Sequence, residues 1–233
     1  MNAKTIRQFH RWIGLLFSFS ILMSAGSGVL HNVMTRTQAP PPPARPSGGG
    51  LVAEMIKVSA AEAIAKLPTG TTVQAVNLRG IGGEPWYQIY PAPPGAAHYV
   101  SAVDGRIDPT QDERYAAEIA SGFLGGTAVR KTDFLTAFNV EYLNIFRVLP
   151  VHRFDADDPR HTRVYVSTTT GSVTRHTDDS RQFEANFFTN FHKLGFIPNK
   201  DTRDLVLTLL TTGIFLAAVL GILLFFLTGR RRG

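Results

Sequence analysis

The hydrophobic pattern divides the chain into two long apolar runs and a polar middle. One run extends from Trp12 to Leu30, 19 residues without a charged side chain, and the other from Leu205 to Thr228, 24 residues without one. As a helix, each is long enough to cross a hydrocarbon core of roughly 30 Å. We therefore predict two transmembrane helices, at residues 12–31 and 205–228, that lie in a lipid bilayer.

The basic residues near the two runs bear on processing and orientation. Lys4, Arg7 and Arg11 precede the first run, and Ser24-Ala25-Gly26 is similar to a cleavage site, so a cleaved signal peptide is an alternative. The run continues beyond those small residues, which favours a retained helix. Since Arg230-Arg231-Arg232 follows the second run, the positive-inside rule predicts that both termini are cytoplasmic.

The polar middle begins with a linker and continues with a helix and short strands. Residues 32–50 contain a proline run and three consecutive glycines, a composition typical of a spacer. Ser59 and Glu62 match a capping box and predict a short helix that ends near Pro68. The segments "TTVQAVNLRG", "WYQIYP" and "AHYVSAVDGRID" alternate and predict three antiparallel strands. Residues 51–110 thus form one α+β unit.

A second unit, residues 111–179, resembles the first. Tyr99–Ile107 aligns without gaps on Tyr165–Val173, an offset of 66 residues, with Tyr, Val, Ser and Gly identical. Residues 112–124 predict a helix, and "NIFRVLPVHRF" and "TRVYVS" predict strands. The order of elements favours an internal duplication over chance similarity.

A stretch before the second apolar run has phenylalanines at helical spacing. Phe183, Phe187, Phe188 and Phe191 predict an amphipathic helix at the outer membrane interface, which Gly195 and Pro198 end. The predicted organisation comprises a cytoplasmic N-terminus (1–11), a first span (12–31), a linker (32–50), two α+β units (51–110 and 111–179), an interfacial helix with its connector (180–204), a second span (205–228) and a basic cytoplasmic tail (229–233).

Three short sequences carry a resemblance to a known family. "HRWIGL" at the start of the first run is similar to the opening of PepSY-associated transmembrane proteins, and "NFHKLGF" resembles their later "LH" element. The strand "YVSAVDGRI", which closes a helix-plus-sheet unit, resembles a PepSY domain. Together with the two predicted spans, the resemblance implies an α+β membrane protein of the bacterial inner membrane, in which two transmembrane helices flank a periplasmic tandem PepSY-like domain. Some larger members are b-type haem proteins implicated in reducing iron–siderophore complexes.

The family resemblance also implies that His10, His31 and His192 are ligands of haem iron. On a straight helix, His10 and His31 lie roughly 31 Å apart and about 60° apart in azimuth, so they cannot bind one small cofactor. We expect His31 and His192 at similar depth, where they could hold haem b as a pair. His10 has no cytoplasmic histidine partner in this chain, and its second ligand would come from another subunit.

Composition excludes several other classes of function. The chain has no cysteine, which rules out disulfides, zinc–thiolate sites, iron–sulfur clusters and thiol nucleophiles. The net charge is +6, and many of the positive charges flank the apolar runs, which favours a membrane protein. The basic residues of the polar middle are scattered among acidic ones, so nucleic-acid binding has little support. Asp155, Asp157, Asp158 and His161 resemble a cation site, but aspartate is also favoured in the turn predicted there. The sequence assigns no catalytic residue.

Three functions remain open at this level. The first is electron transfer by haem toward a periplasmic redox partner or a ferric chelate, in a homodimer or a larger membrane complex. The second is a non-redox accessory subunit whose spans pack through Gly26, Gly28, Gly213 and Gly221. The third is a module that regulates a periplasmic peptidase, as the resemblance suggests for some relatives.

Overall fold

The computed structural model describes residues 3–38, 49–93, 95–146 and 148–229. The chain divides into a helical unit (residues 1–39 and 180–233) and an α+β domain (residues 40–179). In chain order the elements are α1 (Ala3–Thr37), α2 (Ala60–Ala65), β1 (Thr72–Ile81), β2 (Glu84–Ala92), β3 (His98–Ser101), α3 (Gln111–Phe123), β4 (Val129–Leu135), β5 (Val151–Ala156), β6 (Arg163–Ser167), β7 (Ser172–Thr177), α4 (Asp179–Lys193) and α5 (Lys200–Gly229).

In the helical unit, α1 and α5 are each long and apolar enough to cross a membrane. The 35 residues of α1 correspond to about 52 Å, more than the roughly 30 Å of a hydrocarbon core. Large apolar side chains are exposed along both helices, among them Leu16 (72%) and Phe225 (72%). Such continuous apolar faces require cover by lipid or by a partner.

The two long helices pack against each other through glycines of α5. The ring of Phe17 lies where a Cβ at Gly213 would be, and a Cβ at Gly221 would lie 3.1 Å from the ring of His10. By contrast, a Cβ at Gly26 or Gly28 of α1 would meet nothing within 4 Å. Two of the four glycines predicted to mediate packing thus serve a contact within the chain.

The α+β domain contains two antiparallel meanders, β1-β2-β3 and β4-β5-β6-β7. Helix α2 covers one face of the first sheet, where Ala63 and Leu67 pack on Tyr87 and Ile89. Helix α3 lies between the two sheets, and its core includes residues of all three elements: Ile81, Trp86, Tyr99, Tyr115, Ala116, Ile119, Ala120, Phe154, Val164, Val166 and Val173. Because both faces of the first sheet are covered, β2 is buried continuously from Pro85 to Ile89.

The two α+β units pair their strands in an equivalent way. Val100 forms an isolated bridge with Ile107, and Val166 pairs with Val173 in the second sheet, again 66 residues further on. The turn glycines, Gly105 and Gly171, both have positive φ, at 77° and 64°. The aligned positions thus occupy the same place in the two sheets.

Several sequence predictions can be compared with these elements directly. The capping box of Ser59 and Glu62 is present, with both reciprocal hydrogen bonds. The strand predicted at residues 144–154 is wrong in its first part, because Asn144–Phe146 forms a 3-10 turn and β5 begins only at Val151. Strand β4 was not predicted. Residues 39–48 of the linker and 230–233 of the basic tail lie outside the described residues.

Candidate functional site

Helix α4 runs antiparallel to the C-terminal half of α1 and brings polar side chains against it. The Gln38 amide donates to Ser180 Oγ at 3.4 Å at one end of the contact, and His192 meets Ser27 at the other. His31 lies between these levels, beside Glu184. The predicted helix around Phe187 and Phe188 therefore exists, and it packs along α1 through a polar seam. Its position at a membrane interface stays a prediction.

His31 is hydrogen-bonded to a buried carboxylate. Its Nδ1 lies 2.7 Å from Oε1 of Glu184, and the Thr35 hydroxyl donates to the same oxygen at 3.0 Å. The Glu184 side chain is 10% exposed, whereas that of His31 is 45% exposed. Since a carboxylate only accepts, Nδ1 is the donor, and in the neutral imidazole the lone pair lies on Nε2.

His192 is held by two serines of α1. Its Nδ1 lies 3.2 Å from the Ser24 carbonyl oxygen and 3.2 Å from Ser27 Oγ. The Ser27 hydroxyl donates to the Ser24 carbonyl at 3.0 Å, and Ser27 is 2% exposed. The carbonyl fixes Nδ1 as the donor, as in His31. His192 thus fastens the end of α4 to a narrow part of α1.

His10 bonds across the other helix pair. Its Nδ1 donates to the Ala217 carbonyl of α5 at 2.9 Å, and a Cβ at Gly221 would lie 3.1 Å from its Cε1. Gly221 therefore makes room for the imidazole. The sequence showed that no cytoplasmic histidine could pair with His10; the structure gives it a backbone partner within the chain.

The three histidines share one arrangement. In each, Nδ1 is held by a group on a neighbouring helix, and Nε2 has no hydrogen-bond partner among the described residues. A fixed tautomer with an open Nε2 is the state that a metal-binding imidazole requires, and a hydrogen bond at the opposite nitrogen is its usual support. Each of the three histidines meets this requirement on its own.

The pair expected to share one iron is separated by an aromatic ring. Phe188 lies 4.7 Å from His31 and 4.5 Å from His192 between ring centroids, and it stacks on His192. Glu184, Phe188 and His192 follow one another by four residues on α4, so Phe188 occupies the turn between the two imidazoles. With the ring between them, the two imidazoles do not face each other. Each histidine therefore presents its Nε2 separately, and the two could share one iron only if Phe188 moved.

Glu184 and the two serines were not among the sequence candidates. The signal for Glu184 was its spacing, since it precedes Phe188 and His192 by four and eight residues and so lies on the same stripe of α4. An acidic side chain on an otherwise aromatic stripe requires a partner once buried. Ser24 was named in the sequence only as part of a possible cleavage site.

The remaining histidines lie in the α+β domain. His152 Nε2 lies 2.7 Å from Asp112, and His161 Nδ1 lies 2.6 Å from Asp179. In the acidic turn, Asp158 accepts hydrogen bonds from the backbone and hydroxyl of Thr162. Within the described ranges no group of three or more His, Asp or Glu side chains is arranged to hold a metal ion. The acidic turn is therefore explained by its own hydrogen bonds.

Comparisons with known proteins return no relative. No protein-family model matches the chain, and no curated protein or solved structure matches it significantly. The functional argument therefore depends on the geometry of the helical unit.

Proposed function

We propose that this chain is a PepSY-type protein of the bacterial inner membrane that binds b-type haem through its helical unit and transfers electrons. Both termini would be cytoplasmic and the α+β domain periplasmic, where it would meet an acceptor such as a ferric chelate. Two helices long and apolar enough to cross a membrane support the membrane placement. The haem proposal depends on one observation: in all three histidines Nδ1 is hydrogen-bonded to a neighbouring helix, and Nε2 has no hydrogen-bond partner among the described residues.

Of the three histidines, His31 has the strongest hydrogen-bond support at Nδ1. Glu184 accepts a hydrogen bond from Nδ1–H at 2.7 Å and raises the electron density of the imidazole, while Thr35 holds the carboxylate in place. Bound haem would supply a one-electron redox centre. With Phe188 in its present position, a second protein ligand would come from another copy of the chain or from a partner subunit. A pair of His31 with His192 requires rotation of Phe188 away from both rings.

The test is a reduced-minus-oxidised spectrum of the full chain, purified in detergent from haem-replete cells. Wild type should show a b-type band, and His31→Ala should remove most of it. His98→Ala is the matched control, because His98 makes no side-chain hydrogen bond among the described residues. Absence of a band in wild type would refute haem binding, and a band unchanged in His31→Ala, His192→Ala and His10→Ala would refute these ligands.

A second candidate is an accessory subunit of a larger membrane complex. Gly14, Gly26 and Gly28 of α1 have open space where a Cβ would lie, whereas Gly213 and Gly221 face side chains of α1. The open glycines would allow a foreign helix to approach α1 closely. This function requires copurification of a partner that Gly26→Leu releases and Gly70→Asn, in the α+β domain, does not.

A further inference from the structure

Strand β1 is the edge strand of the first sheet, and most of its outer side is open. It pairs only with β2, so its outer side presents backbone N–H and C=O groups to a further strand. Gly49 donates to the Gly80 carbonyl oxygen at 3.1 Å and covers one end of that side. Among the described residues no other backbone hydrogen bond reaches it, and Thr72 to Leu78 carries no charged side chain.

The equivalent edge of the second unit, strand β4, is charged where β1 is not. Followed across each sheet from the aligned strands β3 and β6, the ladders match Asn77 of β1 with Asp133 of β4, and Ala75 with Arg130. Charged side chains on an edge strand deter the addition of another strand. Because β1 lacks charges at the matching positions, its edge differs from its own duplicate in the one feature that would block strand addition.

A cleft of about 450 Å³ lies beside the open edge, between the first sheet and the turn after β6. Its described lining is uncharged and mostly apolar, and it includes Ala75, Asn77, Tyr90, Pro91 and Thr169. Clefts of this size accept ligand groups in other proteins, and an aliphatic or aromatic side chain would fit here. Ala75 and Asn77 belong both to the cleft and to the edge strand, so one ligand could use both.

The walls of the cleft are held in place by buried contacts. Gln88 of β2 is fully buried and donates to the Thr168 carbonyl oxygen at 3.1 Å, which ties the turn after β6 to the first sheet. Arg79 of β1 donates from Nε to the Gln88 side-chain oxygen at 3.2 Å. On the opposite face, Val76 and Leu78 pack in the core beneath α2. The edge and the cleft are therefore preformed.

We propose that β1 binds an extended, uncharged peptide segment of another protein by strand addition, with one side chain of that segment in the cleft. Another strand is the partner that satisfies a row of unpaired N–H and C=O groups, and an adjacent pocket then selects among its alternate side chains. The absence of charge along the edge and the cleft favours an uncharged segment with an apolar or aromatic anchor. The proposal concerns the α+β domain alone and is independent of haem and of the membrane placement.

The test selects short random peptides displayed on phage for binding to the full chain in detergent. The Kd of each enriched peptide is then measured by fluorescence anisotropy. Ala75→Arg gives β1 the side chain that β4 has at the matching position, and we expect binding to weaken by about tenfold, the effect of one or two lost backbone hydrogen bonds. Ala65→Arg is the matched control, because it adds the same side chain at an exposed alanine of α2 and should leave the Kd unchanged.

N-methylation of the peptide backbone separates strand addition from binding by side chains alone, and it leaves the protein unaltered. In an added strand every second N–H bonds to β1, so methyl groups on one alternate set of nitrogens should weaken binding about tenfold and those on the other set should not. Equal effects of the two sets would overturn the proposal, as would a failure to find any peptide that distinguishes wild type from Ala75→Arg. A wild-type dimer that Ala75→Arg dissociates, seen by native mass spectrometry, would show that a second copy covers the edge and would also overturn it.

Discussion

The helical unit and the α+β domain each contain a histidine paired with a carboxylate, and the two pairs are built in opposite ways. His31–Glu184 and His152–Asp112 have the same separation, 2.7 Å. In the helical unit the carboxylate is buried and the imidazole is 45% exposed; in the domain the imidazole is 6% exposed and the carboxylate 31% exposed. The contact alone therefore does not define the role of either histidine.

The nitrogen that makes the bond also differs. His31 uses Nδ1 and leaves Nε2 at the helix surface, whereas His152 uses Nε2 and buries Nδ1 without a partner among the described residues. Asp112 also accepts from the Tyr99 hydroxyl at 2.6 Å, which links both sheets through α3. In the α+β domain, the His152–Asp112 pair links elements of the core. In the helical unit, the His31–Glu184 pair leaves Nε2 of His31 accessible.

Removal of Asp112 should cause the largest change. Asp112→Ala leaves His152 and Tyr99 without their acceptor, and we expect a loss of about 2–3 kcal/mol in the free energy of unfolding. Glu113→Ala is the control, because its bond to Lys131 is exposed and such pairs contribute about 0–1 kcal/mol. Denaturant unfolding of the full chain in detergent, followed by near-UV circular dichroism, measures both. Equal losses would show that the buried network adds nothing.

Much of the fold follows from local patterns, whereas most of the site does not. The spans follow from runs without charge, and α2 from the Ser59 capping box, since both depend on neighbours in sequence. The contacts of His31 depend on how α4 is aligned along α1, which only tertiary packing decides. Phe188 was predicted to face the membrane interface with the other phenylalanines, and its place between two imidazoles depends on that same alignment.

His31 and His152 should also differ in their chemical reactivity. Diethyl pyrocarbonate attacks an unprotonated ring nitrogen, and in haem-free protein His31 offers Nε2 at the surface. His152 reacts only when the domain opens locally, so we expect His31 to react faster by on the order of a hundredfold. Mass spectrometry of peptides over a time course measures the two rates, and Asp112→Ala should accelerate His152 alone. Similar rates in wild type would contradict the buried assignment of His152.

Acid should weaken the contact between His152 and Asp112 in the α+β domain. Burial would raise the pKa of Asp112, but hydrogen bonds from His152, Tyr99 and Thr168 outweigh it and hold that pKa below its usual value. A lowered pKa stabilises the fold above the unfolded value of about 3.9 and loses that contribution as the pH falls further. Unfolding of the α+β domain between pH 5 and 3 should therefore depend less on pH in Asp112→Asn than in wild type. An unchanged slope would remove Asp112 from the acid response.

A third pair, fully at the surface, tests whether burial matters at all. His161 contacts Asp179 at 2.6 Å, with side chains 73% and 58% exposed, and the hydrogen bond and charge of Asp179 raise the pKa of His161. Any stabilisation is present below the usual histidine pKa of about 6.5 and lost as the pH rises through the raised value. NMR titration should show the raised pKa, with a decrease in Asp179→Asn and at high salt. Because solvent screens this pair, His161→Asn, which leaves the Arg163–Asp179 contact in place, should leave unfolding nearly unchanged. A loss as large as that of Asp112→Ala would mean that the contact, rather than its burial, sets the energy.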